Sequence, residues 1–334
     1  MGLNESKDAQ PTIERDLDGI INYIRDKYKD NNLKIITMAG AGISTSAGIP
    51  DFRSKNSGLY DNLSEYGLSE PTAIFTLDYF KENPRPFFNL VKKLYKPEVK
   101  PTLCHYFIRL LHEKNVLLRH YTQNVDDLER LSGLPEEKFI EAHGNFQSGH
   151  CLSCSKVYPR SHLMNFLNST DEIIKCECGG VVKPDIVMFG EGLPSRFLNS
   201  ISKDFAECNL LIIMGTSLSV MPFCNLVHNV KKGTPRLYLN LDCCTPNGSG
   251  LMNKAMKFYV AGFQTNNLEF ENENKLDIFF KCKVDDGVMK ICQQLEWDKE
   301  LIDMKEKRNA ELGSRPMDTL VRPDISAEIS KLKV

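Results

Sequence analysis

The chain has 334 residues, which is enough for one large domain that carries a smaller inserted module. Its 42 basic and 44 acidic residues give a net charge of -2, so the composition offers no electrostatic basis for direct nucleic-acid binding. The hydrophobic content of 41% predicts a substantial core, yet no stretch approaches the roughly 20 apolar residues of a membrane-spanning helix.

The N-terminal residues and the cysteine content indicate a reducing compartment. The beginning of the chain is polar and has no apolar signal core, so its 11 cysteines are expected to remain thiols or to bind metal. Residues 1–6 fit the N-myristoylation pattern, which would give a weak and reversible membrane anchor. A flexible, solvated tail over residues 1–12 is the alternative.

The first predicted elements lead into a glycine-rich turn. Helical spacing of apolar residues over about 13–28 predicts an amphipathic helix, and the apolar run 33–38 predicts a buried strand. The strand ends at Gly40 and Gly42, where we expect a helix to begin and to present its N-terminus to a pyrophosphate. The third glycine comes late, at Gly48, unlike the fingerprint of ordinary dinucleotide-binding folds. On the glycines alone, a purely structural turn remains an alternative.

Three residues after this turn favour a ligand. Asp51, Phe52 and Arg53 bring together a carboxylate, an aromatic ring and a guanidinium, a combination suited to gripping a polar molecule. The next segment, about 54–100, is predicted to be a helical insertion. It begins with a polar loop over the ligand and continues as helices interrupted near 83–86.

Polar side chains follow the next two predicted strands. A strand over 116–122 ends in Gln123-Asn124-Val125-Asp126, and a strand over 139–142 ends in His143. In open α/β sheets ligands bind outside the carboxyl ends of strands, where these amides and the carboxylate can bond ribose hydroxyls and a carboxamide. A neutral imidazole there can act as a general base near pH 7. A helix N-cap for one Asn or Asp, and a structural role for the histidine, are the alternatives.

Two cysteine pairs come next, Cys151-x-x-Cys154 and Cys176-x-Cys178. Four thiols in two short turns predict one tetrahedral zinc site inside a module of about 145–182. Two disulfides are the alternative, but they conflict with a reducing compartment. No His, Asp or Glu at matching spacing offers an open ligand position, so the zinc is expected to be structural.

The alternation of strand, turn and helix then resumes. An extended apolar segment covers 183–191, and the strand 210–214 ends in Gly215-Thr216-Ser217. A further strand, 236–239, ends at Asn240. The alternation predicts an α/β fold: a doubly wound parallel, Rossmann-like sheet with a smaller inserted zinc-binding module and a helical insertion.

The last quarter of the chain contains little further predicted structure. Residues 245–274 are Asn-rich and predict loops, residues 278–280 predict a last strand, and a helix is expected from Asp286. The folded catalytic body is therefore expected over 13–298. The charged run 299–334 predicts a partly disordered tail.

Six motifs occur in the order typical of one family. They are the segment 40–53, the segment 122–126, His143-Gly144, the four cysteines, the segment 183–191 and the segment 215–218. As a set they resemble the sirtuin family of NAD-dependent protein deacylases, over about 20–295, and residues 121–130 look closest to its cytosolic sirtuin-2-like branch. One detail departs, because that branch commonly spaces its second cysteine pair by two residues and here a single residue separates the pair.

The resemblance implies a role for each motif. His143 would be the catalytic base, with Asn124 at the ribose. NAD would be held by Gly40, Ala41, Gly42, Thr45, Asp51, Phe52, Arg53, Gln123, Asn124, Asp126, Gly215, Thr216, Ser217, Asn240 and Cys282. The acyl-lysine substrate would contact Val187, Met188, Phe189, Gly190 and Glu191, the last two by backbone pairing with an extended peptide. One structural zinc would be bound by Cys151, Cys154, Cys176 and Cys178.

The implied reaction is removal of an acyl group from lysine. The amide oxygen attacks the ribose carbon as nicotinamide leaves, a ribose hydroxyl then reacts with help from His143, and the products are lysine, nicotinamide and O-acyl-ADP-ribose. The implied partners are acylated lysines in extended protein segments, such as histone tails or tubulin, in the cytoplasm and also the nucleus. The alternatives are a protein mono-ADP-ribosyltransferase and a catalytically idle NAD-binding scaffold. A dehydrogenase is disfavoured because the ordinary glycine fingerprint is missing.

Overall fold

The structure consists of two sheets with helices packed around them. A computed structural model describes residues 13–52, 58–59, 70–96, 98–243 and 276–313. In these ranges the strands are β1 (Ile35–Ala39), β2 (Leu117–Thr122), β3 (Phe139–Glu141), β4 (Gly144–Cys151), β5 (Val157–Pro159), β6 (Val182–Ile186), β7 (Leu210–Met214), β8 (Arg236–Asn240) and β9 (Asp277–Lys281). Six of them pair in parallel in the order β3-β2-β1-β7-β8-β9, while β5-β4-β6 form a small antiparallel sheet. The predicted doubly wound parallel sheet is confirmed.

Helices connect the strands. The α-helices of the described ranges are α1 (Leu17–Lys29), α2 (Leu77–Glu82), α3 (Arg85–Leu94), α4 (Leu103–Glu113), α5 (Leu128–Ser132), α6 (Arg160–Leu167), α7 (Ser195–Glu207), α8 (Val284–Leu295) and α9 (Asp298–Gly313). Short 3₁₀ helices cover Ala41–Ile43, Thr45–Ala47, Pro71–Phe75, Glu136–Lys138 and Phe223–His228. The predicted break near 83–86 is confirmed, because α2 ends at Glu82 and α3 begins at Arg85.

Both faces of the parallel sheet are buried, which explains its continuous apolar strands. All residues of β1 and β7 are buried. Along β1, Ile35 and Ala39 belong to the hydrophobic cluster formed with α1, α4 and α8, whereas Ile36 and Met38 belong to the cluster formed with α7. Strands covered by helices on both faces lose the polar alternation of half-exposed strands.

The helical insertion and the small sheet share one hydrophobic core. Phe80 of α2 and Phe88 of α3 lie in the same cluster as Phe166 of α6 and Val182 of β6. The rings of Phe88 and Phe166 meet edge to face, with centroids 5.0 Å apart. The sequence suggests two separate insertions, but their described residues pack together as one smaller unit beside the main sheet.

Two details differ from the sequence prediction. The turn after β1 does not begin an α-helix, because it consists of the 3₁₀ helices Ala41–Ile43 and Thr45–Ala47 and ends at Gly48 in a left-handed conformation with φ of 86°. The alternation of strand, turn and helix also predicts a helix after the Gly215–Ser217 turn, and the element that follows is a 3₁₀ helix, Phe223–His228. The loops predicted over 54–66 and 245–274 lie largely or wholly outside the described residues, as do the tail 1–12 and Arg53.

Residues 299–313, the first part of the predicted partly disordered tail, form most of α9. The helix is strongly charged, so its sequence lacks a clear apolar stripe. It is nevertheless anchored by Leu301, which is fully buried in the main core, and by a hydrogen bond of 2.9 Å from the Tyr106 hydroxyl to the Asn309 side chain. A few buried contacts outweigh the charged composition of the helix.

The anchoring of α9 predicts a stability effect. We expect Leu301→Ala to lower the free energy of unfolding by about 2–5 kcal/mol, because it leaves a cavity in the main core. Lys299→Ala, an exposed position of the same helix, should change it by less than about 0.5 kcal/mol. Urea unfolding of both variants measures the difference, and equal midpoints would show that α9 does not contribute to the core.

Candidate functional site

The candidate site begins where the strand order of the main sheet reverses. From β1 the chain proceeds to β2 and β3 on one side, and it later returns to β7, β8 and β9 on the other side. In open α/β sheets the crevice outside the carboxyl ends of strands at such a point is where ligands bind. Here the turns that follow β1 and β7 touch, because the amide of Gly42 donates to the carbonyl of Gly215 at 2.8 Å.

The glycines are required for this contact between turns. A Cβ atom on Gly42 would lie 2.7 Å from the Cα of Gly215, and one on Gly40 would lie 2.8 Å from the Cβ of Thr216. Gly215 itself has φ of 58°, a backbone conformation that residues with a Cβ rarely adopt. The structural explanation for these glycines is therefore correct, and any approach of a pyrophosphate comes in addition to it.

Predicted binding residues follow each of the six parallel strands. Along the edge of the sheet these are His143 after β3, Gln123 and Asn124 after β2, Gly40, Ala41 and Gly42 after β1, Gly215, Thr216 and Ser217 after β7, Asn240 at the end of β8, and Cys282 after β9. Neighbouring strands lie about 4.8 Å apart, so this edge spans roughly 24 Å. A ligand that contacts both ends must be extended.

His143 has the geometry of a general base. Its Nδ1 lies 3.0 Å from the carbonyl oxygen of Gln123, and because a carbonyl can only accept, Nδ1 carries the proton. The lone pair is then on Nε2. Burial lowers the pKa of His143 below its usual value, which keeps the imidazole neutral at pH 7. The side chain can therefore accept a proton from a ligand hydroxyl.

Asn124 and Asp126 are joined through Ser44. The side-chain amide of Asn124 donates to the Gly40 carbonyl at 3.3 Å and to the Ser44 hydroxyl at 3.2 Å. Ser44 in turn donates to a carboxylate oxygen of Asp126 at 2.6 Å. Ser44 is fully buried and fixes both neighbours, yet sequence reasoning assigned it no role. The feature of the sequence that could have identified Ser44 is a hydroxyl side chain soon after Gly40 and Gly42.

Asp126 combines a hydrogen bond to the start of α5 with an unusual pKa. One carboxylate oxygen accepts from the amide of Leu128 at 3.0 Å, whereas the N-cap residue of this helix, Asp127, makes no side-chain capping bond. Burial, with the nearby charge of Glu129, raises the pKa of Asp126 to about 7. Glu129 is itself buried and accepts from His120 at 3.3 Å. The carboxylate therefore changes charge near neutral pH.

The turn after β7 is tied to the other strand ends. Thr216 donates its hydroxyl to the side-chain oxygen of Gln123 at 2.7 Å, which links the β7 and β2 ends. The side-chain amide of Asn240 donates to the carbonyl of Asp242 at 2.9 Å. Burial raises the pKa of the Cys282 thiol to about 11, so it is a neutral contact group and not a nucleophile.

Three further residues that are predicted to bind NAD follow the turn after β1, namely Thr45, Asp51 and Phe52. Thr45 donates its hydroxyl to the Gly42 carbonyl at 3.1 Å. Phe52 is 40% exposed, and its ring meets the edge of Phe75 with centroids 5.8 Å apart. Asp51 is half-buried and its carbonyl accepts from the amide of Leu59 at 2.7 Å.

The predicted substrate segment lies between His143 and the smaller unit. The amide of Val187 donates to the His143 carbonyl at 2.7 Å, and the amide of Phe189 donates to the Phe75 carbonyl at 2.8 Å. Gly190 is exposed, with φ of 98°, and a Cβ atom added there would meet none of the described residues within 4 Å. Met188 is 1% exposed and packs in the core of the smaller unit, so its place on a substrate tunnel remains a prediction.

The four predicted metal ligands converge. The sulfurs of Cys151 and Cys178 lie 3.5 Å apart, those of Cys154 and Cys176 lie 3.6 Å apart, and all four are within 4.8 Å of one another. Zinc–sulfur bonds of about 2.3 Å in a tetrahedron place sulfurs about 3.8 Å apart. A disulfide would need about 2.05 Å, so the disulfide alternative is wrong for these pairs.

The short second pair is accommodated by two glycines. Gly179 has φ of 87°, and its amide donates to the carbonyl of Cys176 at 2.9 Å. A Cβ atom on Gly180 would lie 2.7 Å from the sulfur of Cys151. Gly179 therefore supplies a backbone conformation that residues with a Cβ rarely adopt, and Gly180 leaves room beside the Cys151 sulfur.

Comparison with known proteins identifies a family and several relatives. Residues 40–222 match the Sir2 family. The chain is 46% identical to the NAD-dependent protein deacetylase sirtuin-2 of Danio rerio, over 90% of this chain and 78% of that protein. It is 44% identical to the NAD-dependent deacetylase sir2A of Dictyostelium discoideum, over 87% of this chain and 53% of the relative. It is 40% identical to the NAD-dependent protein deacetylase hst2 of Schizosaccharomyces pombe, over 80% of this chain and 74% of that protein.

The helices of the described ranges do not have the character of membrane spans. None of them combines the length and the hydrophobicity that a bilayer-spanning helix requires. Among them α9 is long, with 16 residues, but it is strongly charged. The expected N-myristoylation site, at residues 1–6, lies outside the described part of the chain.

Proposed function

This chain belongs to the Sir2 family, and from that premise we propose that it is an NAD-dependent protein-lysine deacetylase that transfers the acyl group to ADP-ribose. The observation that carries the proposal is the oriented, neutral imidazole of His143 beside amide and carboxylate groups at the sheet edge. A binding scaffold without activity would not need a base held in one tautomer. The similarity to deacetylases over most of the chain supports the same conclusion.

NAD is a consumed co-substrate, and its ribose carbon becomes electrophilic as nicotinamide leaves. Asn124, whose amide nitrogen is held by Gly40 and Ser44, is proposed to orient the nicotinamide ribose with its remaining oxygen. Asp126 is proposed to accept a hydrogen bond from the carboxamide. His143 then accepts the proton of a ribose hydroxyl at Nε2, which makes that oxygen a better nucleophile.

The other strand ends are proposed to hold the rest of the dinucleotide. Gly215, Thr216 and Ser217 are small residues, of which Ser217 is exposed, and we propose that this turn receives a phosphate or ribose. Asn240 and Cys282 lie further along the same edge. Ala41, Thr45, Asp51 and Phe52 complete the rim near the β1 turn. Arg53 lies outside the described residues, and its proposed contact with NAD rests on the family resemblance.

Zinc is a structural component of the smaller unit. Four sulfurs occupy the corners of the site, which leaves no open position at which a water or substrate could be activated. Cys151 is the last residue of β4 and His143 directly precedes its first residue, so the cluster lies at the end of β4 that is remote from His143. The metal holds together a unit that contributes the segment after β6 to the site.

The substrates are proteins that carry acetyl-lysine. We propose that they bind as extended segments along the backbone near Gly190 and Glu191, and that histone-tail and tubulin peptides are suitable first substrates. We also propose a cytoplasmic location that extends to the nucleus, because a four-cysteine zinc site persists best where thiols stay reduced. A myristoyl group on Gly2 would add a weak anchor.

The test of the function is a product analysis. Purified protein is incubated with NAD and an acetyl-lysine peptide, and the products are identified by mass spectrometry. Deacetylated peptide, nicotinamide and O-acetyl-ADP-ribose in equal amounts are expected. ADP-ribosylated peptide or protein would establish the transferase instead, and unchanged NAD in the presence of several acetylated peptides would establish a scaffold.

The raised pKa of Asp126 predicts pH-dependent NAD binding. The carboxylate accepts from the carboxamide, so the binding form is lost as the pH falls through about 7. We expect the affinity for NAD to be about tenfold lower at pH 6 than at pH 8, as a single ionisation with this midpoint requires. Titration calorimetry measures it. Asp126→Asn should bind weakly with no such dependence, and a flat wild-type profile would contradict the assignment.

A further inference from the structure

Lys183 is a charged side chain in an unusual place. It lies on β6, and it is only 1% exposed although lysine is almost never fully buried without partners. It follows the zinc module directly and precedes the proposed substrate segment 187–191. Lys183 belongs to the motif 183–191, but the family resemblance assigns no role to it. The buried ammonium therefore needs an explanation of its own.

The three protons of this ammonium are matched by three oxygens. The Nζ atom donates to the carbonyl of Pro184 at 3.0 Å and to the carbonyl of Ile186 at 2.6 Å. It also lies 3.0 Å from a carboxylate oxygen of Glu191. An ammonium has three donors and no acceptor, so all its hydrogen bonds are used within this one segment. The ion pair between Lys183 and Glu191 joins the two ends of the segment 183–191 and closes it into a loop.

Glu191 completes the closure from the other end. The same carboxylate oxygen accepts from the amide of Met188 at 2.8 Å, and the amide of Glu191 donates to the Met188 carbonyl at 3.0 Å. The Glu191 side chain is 22% exposed, so its charge is only partly hydrated. Removing one member of such a pair leaves the other charge buried without its partner, which is strongly unfavourable.

Other contacts hold Val187, Met188 and Phe189, so the closure mainly restricts Gly190 and Glu191. Gly190 has φ of 98°, and the described residues leave open space where a side chain at this position would lie. Fixing the backbone of a residue costs conformational entropy. A segment that is already fixed does not lose this freedom again when a peptide binds, and so it binds the peptide more tightly.

We propose that Lys183 is a positioning residue that, through Glu191, holds the segment 187–191 in the conformation that receives the acyl-lysine peptide. This rests on the proposed function for the role of the segment. Because Lys183 is buried and its ammonium bonds within the segment, it would act on the peptide through Glu191 and not by direct contact. Its loss should therefore weaken peptide binding and leave NAD binding unchanged, whereas a purely structural lysine would affect both through general destabilisation.

The main test compares Lys183→Met with Lys34→Met. Methionine keeps the length of the stem and removes the ammonium, and Lys34 is a matched control because it forms a single exposed ion pair with Glu207 at 3.0 Å. Binding of a fluorescent acetyl-lysine peptide is measured by anisotropy, NAD binding by calorimetry, and zinc by metal analysis. Lys183→Met should bind the peptide at least fivefold more weakly, with NAD affinity within twofold and zinc retained. A smaller effect on the peptide, or an equal loss for NAD, would overturn the proposal.

A second variant covers the case in which Lys183→Met does not fold. Glu191→Gln keeps an oxygen for the Met188 amide but removes the charge that pairs with Lys183, and its position is partly exposed. We expect at least threefold weaker peptide binding, and an unchanged affinity would overturn the proposal. In a double-mutant cycle, the double variant should lose no more than Lys183→Met alone, because both changes break one interaction.

Hydrogen exchange separates this inference from the proposed function. The amide of Met188, bonded to Glu191, should exchange slowly in the wild-type protein and at least tenfold faster in Lys183→Met. Unchanged exchange would overturn the positioning role even if the enzyme is an active deacetylase. If the wild-type protein produces no nicotinamide from NAD and acetyl-peptide, the function fails, while faster exchange in the variant would still support the closure.

Discussion

His143→Ala is expected to lower the rate of deacetylation at saturating NAD by about 100-fold or more, because general base catalysis contributes about 10²–10⁴-fold. NAD binding should change less than about threefold, since the dinucleotide is held by groups along the whole edge of the sheet. The physical reason lies in one hydrogen bond. The Gln123 carbonyl fixes the proton on Nδ1, which leaves Nε2 as the base.

Single-turnover assays with acetyl-peptide and calorimetry with NAD measure the two effects. His112→Ala is a suitable control, because His112 is a half-buried histidine at the end of α4 and lies outside the candidate site. It should keep most of the activity. If His143→Ala retained more than a few per cent of the wild-type rate, or if both variants were equally impaired, His143 would not be the base.

The direction of the His143 pKa gives the same assignment a pH signature. Burial places the pKa below its usual value, so the neutral form is fully present at pH 7 and is lost only as the pH falls through the lowered value. At saturating NAD, the rate should therefore stay nearly level from pH 8 to pH 7 and decline as the pH falls through the lowered pKa of His143. A decline that begins above pH 7 under these conditions would indicate a different base.

The positions of the proposed binding residues could be predicted from the sequence because of parallel strand geometry. Gln123, His143 and Thr216 are far apart in the chain, but each follows an apolar strand, and parallel strands end at one edge. Recognising three strands therefore places three side chains together. The zinc site could also be predicted from the sequence, because two closely spaced pairs of thiols are typical of a tetrahedral zinc site.

Other features depend on contacts that no local pattern contains. Gly42 is needed because Gly215, distant in sequence, packs against it, and Ser44 matters because it joins Asn124 to Asp126. The helix α9 reads as a charged tail, since its anchoring depends on a few residues such as Leu301 that find a complementary core. The sequence shows which residue types are present, and only the fold shows which of them meet.

The smaller unit is linked to the chemistry through strands on either side of the zinc site. Its strand β4 begins directly after His143, and the segment after β6 returns to donate the Val187 amide to the His143 carbonyl at 2.7 Å. The Gln147 side chain of β4 also donates to both carboxylate oxygens of Asp127, at 2.8 and 2.9 Å. Asp127 adjoins Asp126. Disorder of the unit would therefore disturb the base and the proposed carboxamide contact together.

Removal of zinc is consequently expected to unfold the smaller unit and to reduce the rate of deacetylation to below about a tenth of the rate of the zinc-bound protein. Structural zinc sites contribute roughly 10–16 kcal/mol, which is comparable with the whole stability of a typical domain. Metal analysis should find one zinc per chain, and X-ray absorption should find four sulfurs at about 2.3 Å. Cys178→Ala should lose metal and activity together, whereas Cys243→Ser, an exposed cysteine after β8, should keep both. Less than half an equivalent of zinc in active protein, or full activity and unchanged melting after exhaustive chelation, would refute the structural role of the metal.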